Sequence, residues 1–386
     1  MSKIVNSTAT SWLTVDARML FSSGIGRYLR EVVSRWPAES AQHETYICNQ
    51  NEQVEWLADV RPGAKVVMSK ASIYSAREQF IGLGFPANSV YWVPHYNLPL
   101  FCQARLVATV HDAAPLVLRE VFNRRFQQLA ARFYFGIARR STHRVIAVSQ
   151  FTADELSRHA GVNSKKIKVI TNGVSDDWFS AAPRVSRPVS RLLFVGNLKA
   201  HKNLRRLIEG IDLLRKEGNQ EINLEVVGQV DGFRTGLETG TVEILRSRPW
   251  ILLHGTVSDA KLRELYANVS ALVFPSLYEG FGLPMLEAMA SGCPVLASNV
   301  ASLPEIGGPD QKKGGCVAYF DPRDIQSIAA CIDAFIHLPP EERLRMAESG
   351  CSRAREYSWE QTAQRTYDSL RDVRSNADPT GTNNLA

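Results

Sequence analysis

The sequence predicts an α/β protein built from two doubly wound parallel sheets, and three observations carry that expectation. From Trp12 onward, short β-branched apolar runs alternate with helical patterns, the order expected of parallel strands covered by helices. At 386 residues the chain is longer than one compact core usually holds, so two domains are expected. Between 178 and 191 lies a stretch short in apolar periodicity that carries Pro183 and Pro188 and reads as a linker.

Taken in order, the clearest strands of the first half are LTVDAR, SVYWVPH, RLVATVHD, HRVIAVS and IKVITNG. Those of the second half are RLLFVG, NLEVVG, ILLHG, SALVFPS and PVLAS. Each ends in glycine, a small polar residue or a His-Asp pair, and ligands of doubly wound sheets bind at the carboxyl ends of strands. Ser23-Gly24-Ile25-Gly26 follows the first strand and opens a helix with Ile25, Leu29, Val32, Val33 and Trp36 at helical spacing. Glycines there let a backbone or a ligand come close, although a plain tight turn explains them equally. Tyr28 and Leu29 stand where the third glycine of a dinucleotide fingerprint would fall, which argues against a nicotinamide dehydrogenase. His111-Asp112 closes the strand 105–110, and a histidine at a strand's carboxyl end faces a cleft rather than the sheet interior. His95, after SVYWVP, is a lesser candidate. Gly196 ends the first strand of the second half, and Lys199, His201 and Lys202 follow it before a helix expected over 203–210.

Composition narrows the class further. With 45% hydrophobic and 22% charged residues, the chain is that of an ordinary globular protein. No apolar run approaches bilayer length and no signal peptide is visible, so a cytoplasmic protein is expected. Six cysteines are scattered without a C-x-x-C pair, and they read as reduced thiols rather than a zinc site. The net charge of +6 permits an anionic membrane surface, lipid diphosphates or nucleic acid as neighbours without deciding among them, and no nucleic-acid partner is expected. The stretch 117–140 mixes six arginines with aromatic residues. It reads either as a core helix with a solvated basic face or as the place where a lipid-linked phosphate approaches.

The most informative segment is FPSLYEGFGLPMLEAMASG, 274–292. An apolar run precedes it, and a short helix closed by Gly292 ends it, so it reads as strand, loop and helix start. Pro284 suits the first helical turn because its fixed φ fits and its missing amide would have been unpaired there. The amides of Phe281, Gly282 and Leu283 are then expected at the positive end of a helix dipole, a site that favours phosphate. Glu279 is expected at the tip of the strand and Glu287 one turn into the helix. Carboxylates beside an anion hole repel the anion itself, but they accept hydrogen bonds from hydroxyl groups on either side of a diphosphate. A nucleotide sugar has that shape.

These blocks, with those at 23–28, 109–112, 144–152, 169–174 and 194–203, resemble the glycosyltransferases of family four, whose signature is two glutamates separated by seven residues. The resemblance spans nearly the whole chain in family order. It implies the GT-B fold, two Rossmann-like doubly wound domains facing a central cleft, with an acceptor-side domain over 1–182 and a linker over 183–190. A nucleotide-sugar domain would cover 191–358, a helix over 359–373 would cross back, and 374–386 would form a disordered tail. By resemblance His111 contacts the transferred sugar, Glu279 a sugar hydroxyl and Glu287 the ribose. Gly24 and Gly26 would lie against the diphosphate or the acceptor, and the backbone around Val257 would read the base. Lys202 keeps the family's lysine, whereas Asn197 and His201 stand where arginine is common.

The activity so implied is retaining transfer of a hexose, with mannose from GDP-mannose the first choice and a UDP-sugar the alternative donor. The acceptor would be a lipid-linked glycan of bacterial surface polysaccharide, and peripheral contact with the inner membrane is left open. No D-x-D motif occurs, which fits an enzyme without a metal or other cofactor, its catalysis resting on His111, Lys202 and Glu279. Two rivals share the fold: a sugar-nucleotide epimerase, and a non-catalytic scaffold of an assembly complex.

Overall fold

The computed structural model describes residues 11–118, 125–180, 190–228 and 241–375. The chain divides into two compact units, Met1–Gly173 with Trp359–Ala386, and Val174–Ser358. Of the expected linker and tail, only Ser190, Arg374 and Ser375 fall within the described residues.

The first unit holds seven strands: β1 (Leu13–Asp16), β2 (Glu44–Cys48), β3 (Lys65–Met68), β4 (Val90–Val93), β5 (Arg105–Val110), β6 (Thr142–Ala147) and β7 (Ile167–Val169). All pair in parallel in the order β3-β2-β1-β4-β5-β6-β7. The direction of winding reverses between β1 and β4, so the strand ends there open into a crevice of the kind that binds ligands. β1 and β4 are buried along their whole length, as central strands covered on both faces must be.

β2 and β3 were not legible among the clearest strands, and each has a physical reason. β3 is a half-exposed edge strand beginning with Lys65. β2 begins with Glu44, a charge that argues against a buried strand until its partners are seen. Arg61 donates to Glu44 at 2.7 Å, and the hydroxyls of Ser40 and Tyr46 donate at 2.6 Å each. With its lone pairs met in this way, the carboxylate is tolerated at zero exposure.

The helix Trp359–Ser375 belongs to this first unit although it comes last in the chain. It buries Trp359, Ala363, Leu370 and Val373 on one face, each large apolar side chain contributing about 1.5–3 kcal/mol. Polar bonds fix its register: the Trp36 indole donates to the Ala363 carbonyl at 3.3 Å, and Thr362 donates to the Thr171 carbonyl at 2.7 Å.

The second unit holds β8 (Arg191–Val195), β9 (Asn223–Val227), β10 (Ile251–Gly255), β11 (Ala271–Phe274), β12 (Val295–Ser298) and β13 (Val317–Phe320). They form a parallel sheet ordered β10-β9-β8-β11-β12-β13, reversing between β8 and β11. Leu207, Ile208 and Ile211 of the helix Leu204–Lys216 pack with Ile328, Ile332 and Phe335 of the helix Ile325–Ile336 in the main core cluster. β13, an edge strand with a half-buried middle, is the one strand of this sheet that the pattern did not single out.

Candidate functional site

At the reversal point of the second sheet, β11 ends at Phe274 and the helix Leu283–Ala290 begins after an intervening loop. Glu279 sits inside that loop, not at the strand tip as expected, because Pro275 and the turn after it carry the chain away from the sheet before the glutamate is reached. Its Oε1 accepts two hydrogen bonds, from Lys202 Nζ at 2.5 Å and from the hydroxyl of buried Ser276 at 2.6 Å. Both donors meet the same oxygen. The lysine and the glutamate are each largely buried, at 14% and 12% side-chain exposure. Charge-assisted bonds of this kind are stronger than neutral ones.

Backbone bonds explain how two distant loops hold that pair. The Leu277 amide donates to the His201 carbonyl at 2.8 Å, joining the lysine loop to the glutamate loop. Asn203 side-chain Nδ2 donates to the carbonyls of Pro275 at 3.0 Å and Pro322 at 2.7 Å. The Ser302 hydroxyl donates to the Glu279 carbonyl at 2.9 Å. Asn203 itself adopts φ 60°, a left-handed conformation that asparagine tolerates better than most residues, and it starts the helix Leu204–Lys216.

The loop and helix start expected from the sequence are present. Gly282 precedes the helix with φ 99°, and a Cβ there would lie 2.8 Å from Leu303 Cδ2, so only glycine fits. Pro284 lies in the first turn. Among the described residues no carbonyl accepts the amides of Phe281, Gly282 or Leu283, which leaves them available to an anion. Glu287 lies one turn in and is 4% exposed, and Val257 follows the end of β10 at the same carboxyl edge of the sheet. Lys202 and Glu279 are thus brought into contact, next to the loop that carries Phe281, Gly282 and Leu283.

In the first unit, His111 follows β5 and its Nε2 lies 3.0 Å from the Pro94 carbonyl. A carbonyl only accepts, so Nε2 carries the proton and Nδ1 is left as an acceptor. Burial lowers the His111 pKa to about 4, and the ring is neutral at pH 7. Its ring meets Tyr28 edge-on at 4.9 Å. Asp112 caps the following turn, accepting from the Ala114 amide at 3.0 Å. Gly26 is explained by the chain itself, since a Cβ would lie 2.5 Å from the Leu20 carbonyl oxygen, whereas Gly24 faces open space. His201, in the second unit, is lowered to about 4 by burial and then by neighbouring Lys202; its Nδ1 and the Oδ1 of Asn197 are buried without a partner.

Sequence reasoning did not single out Ser276, Asn203 or Ser302. The available signal was a serine three residues before Glu279 in a loop, and loop serines rarely announce a partner. The basic aromatic stretch resolves into two helices, Ala114–Val117 and Arg125–Ser141, with 119–124 outside the described residues. Tyr134 and Phe135 are buried while Leu129 and Phe133 are exposed. Among the described residues no group of three or more His, Cys, Asp or Glu is placed to hold a metal ion, and no helix is long and apolar enough to cross a membrane.

Comparison with known proteins agrees with this geometry. Residues 184–353 match the model of glycosyl transferases group 1, and residues 86–178 match that of glycosyltransferase family 4. The chain is 28% identical over 376 residues to the O-antigen chain mannosyltransferase B of Escherichia coli, covering 90% of this chain and 96% of that protein. It is 27% identical over 342 residues to the MMP alpha-(1->4)-mannosyltransferase of Mycolicibacterium hassiacum, covering 88% of this chain and 77% of the relative. Among solved structures, Anabaena Alr3699/HepE in complex with UDP-glucose superposes with a TM-score of 0.73 at 16% identity, covering 93% of this chain and 99% of that one. The chain is a glycosyltransferase of GT-B fold, related to the group 1 and family 4 glycosyltransferases.

Proposed function

We propose that this enzyme moves mannose from GDP-mannose to a hydroxyl of a lipid-linked glycan, with retention of anomeric configuration and without a metal. The observation that carries the reading is the Glu279 carboxylate, held on one oxygen by Lys202 and Ser276 beside the amides of Phe281 to Leu283. A diphosphate seated on those amides lies next to the ammonium of Lys202, which stabilises the charge that grows on the leaving oxygen. The second oxygen of Glu279 accepts from a sugar hydroxyl, and Glu287 accepts from the ribose. His111 is neutral and contributes to sugar contacts as a hydrogen-bonding group rather than as an acid. The C1–O bond to the diphosphate breaks, the acceptor oxygen bonds C1 on the same face, and the acceptor's proton passes to the departing phosphate oxygen.

The choice of mannose is supported by the relatives named as mannosyltransferases, and the choice of a nucleotide donor by the solved complex with UDP-glucose. Gly24 and Val257 would complete donor contacts from the diphosphate and base sides. The test is hydrolysis of GDP-mannose, UDP-glucose, UDP-galactose and UDP-GlcNAc by purified protein. Turnover of GDP-mannose alone supports the reading; turnover of a UDP-sugar alone replaces the donor. Absence of turnover with all four overturns the enzyme, and an epimerised nucleotide sugar formed without acceptor overturns the transferase.

A further inference from the structure

Tyr74 in the first unit is an anomaly that the donor chemistry does not use. It is one of the few non-glycine residues with positive φ, 64°, where a bulky side chain is strained, and it is 51% exposed. Such a conformation persists only when its surroundings impose it, and here they do. The Tyr74 amide donates to Glu78 Oε2 at 2.7 Å. Glu78 Oε1 in turn accepts from Arg18 at 2.6 Å and from Asn97 at 2.7 Å, and Arg18 is anchored on Asp16 at the end of β1. All four side chains beneath the tyrosine are buried. A rigid polar foundation thus holds one aromatic ring out toward solvent.

The ring stands in a neutral polar and aromatic setting. The Tyr74 hydroxyl lies 3.3 Å from His95 Nδ1, which also lies 3.2 Å from Asn97 Oδ1. The rings of Tyr134, His95 and Tyr96 surround it at 5.4, 6.2 and 6.4 Å. Burial lowers His95 to about 3 and raises Tyr96 and Tyr134 to about 12, so each is uncharged at pH 7. Arg18, the guanidinium beneath, is committed to Asp16, Glu78 and the Ala71 carbonyl. A phosphate would find little positive charge to hold it. A pyranose ring presents the complement: an apolar C–H face for an aromatic plane and hydroxyls for phenols and imidazole.

We propose that Tyr74, with His95, Tyr96 and Tyr134, forms a subsite for an uncharged glycan ring, the end of the acceptor that receives the sugar. The assignment rests on the transferase reading above. Its location suits that role, since His95 follows β4 and His111 follows the neighbouring β5, on the same carboxyl edge of the sheet.

Saturation-transfer NMR of the full chain with methyl α-D-mannoside and methyl α-D-glucoside tests it, comparing Tyr74→Gly and Tyr74→Phe with the unmutated protein. Glycine is at ease at this φ, so the fold is retained and circular dichroism and Tm verify it. The expected result is a dissociation constant for the preferred glycoside raised at least tenfold by Tyr74→Gly and no more than threefold by Tyr74→Phe, with the KM for the donor moving less than twofold. Unchanged glycoside binding in Tyr74→Gly, or binding of neither glycoside by the unmutated protein, overturns the subsite. If no donor is turned over, the transferase reading falls, and the glycoside titration still decides whether Tyr74 holds a sugar.

Discussion

The strand ends of the two sheets use charge in opposite ways. In the second unit the pair Lys202–Glu279 lies at the loop before a helix whose first amides donate to no carbonyl among the described residues. In the first unit the buried ions Asp16, Arg18 and Glu78 are closed on one another, and the histidines beside them, His95 and His111, are neutral. On the function proposed above, the comparison teaches that a similar Rossmann-like frame offers an anion site at one sheet and an uncharged, hydroxyl-recognising surface at the other, with leaving-group stabilisation assigned to the former and sugar contact to the latter.

Removing the central charge should break the asymmetry most. Lys202→Ala is expected to lower kcat about 10²–10³-fold, the loss found when one donor to a developing anion is deleted, with a fall in Tm smaller than that of a fully buried cation because the pair keeps some solvent contact. Steady-state kinetics alongside a melting curve reads both quantities, and a large fall in Tm would mean that the lysine holds the fold instead. Arg18→Met should do the reverse. It leaves Asp16 and Glu78 buried without their cation, a loss of about 3–5 kcal/mol of stability, while GDP affinity stays near the unmutated value. Denaturant titration with parallel nucleotide binding would show it.

Acidity sharpens the same contrast. His95, His111 and His201 have folded pKa values of about 3, 4 and 4, below the ordinary 6.5 of an unfolded chain. Between about pH 6.5 and 4 the unfolded state therefore binds more protons, and stability falls as pH falls through that window. Tm measured at steps across it should decline, and His111→Asn should make the decline shallower. The smallest expected effect is that of Ser276→Ala, which removes one of two bonds that orient Glu279. A drop of about tenfold in kcat/KM is expected, from the lower end of the ~1.5–3 kcal/mol of a hydrogen bond to a charged group because the Lys202 bond remains, with Ser276→Thr retaining most activity. Equal losses in both variants would show that the serine matters for packing and not for its hydroxyl.

Much of this was legible because local chemistry and global fold agree. The Gly282-Leu283-Pro284 run, following an apolar strand, marks a helix start, so the loop and the position of its amides could be read from residue types alone. Strands with both faces buried show as unbroken apolar runs, as in β4 and β11. β2 was hidden by Glu44, whose partner Arg61 comes seventeen residues later in sequence, a pairing that only the fold reveals. Asn203 escaped for the same reason, since its bonds reach Pro275 and Pro322 far along the chain, whereas Ser276 bonds Glu279 only three residues away in a loop whose turn the residue types do not dictate. Glu279 falls in the loop and not at the strand tip because β11 ends with the apolar run at Phe274, and Pro275 with the turn after it separates the glutamate from the strand. Tyr74 could not be read at all: nothing in its neighbours announces a positive φ, which follows from the Glu78 carboxylate that holds its amide.

Calorimetric titration of GDP and of guanosine into the unmutated protein and Lys202→Ala tests the central claim, that a diphosphate is held by the Phe281–Leu283 amides beside Lys202. GDP should bind at least a hundredfold more tightly than guanosine, and the lysine variant should close most of that gap while leaving guanosine unaffected. Equal affinities for GDP and guanosine in the unmutated protein would contradict it.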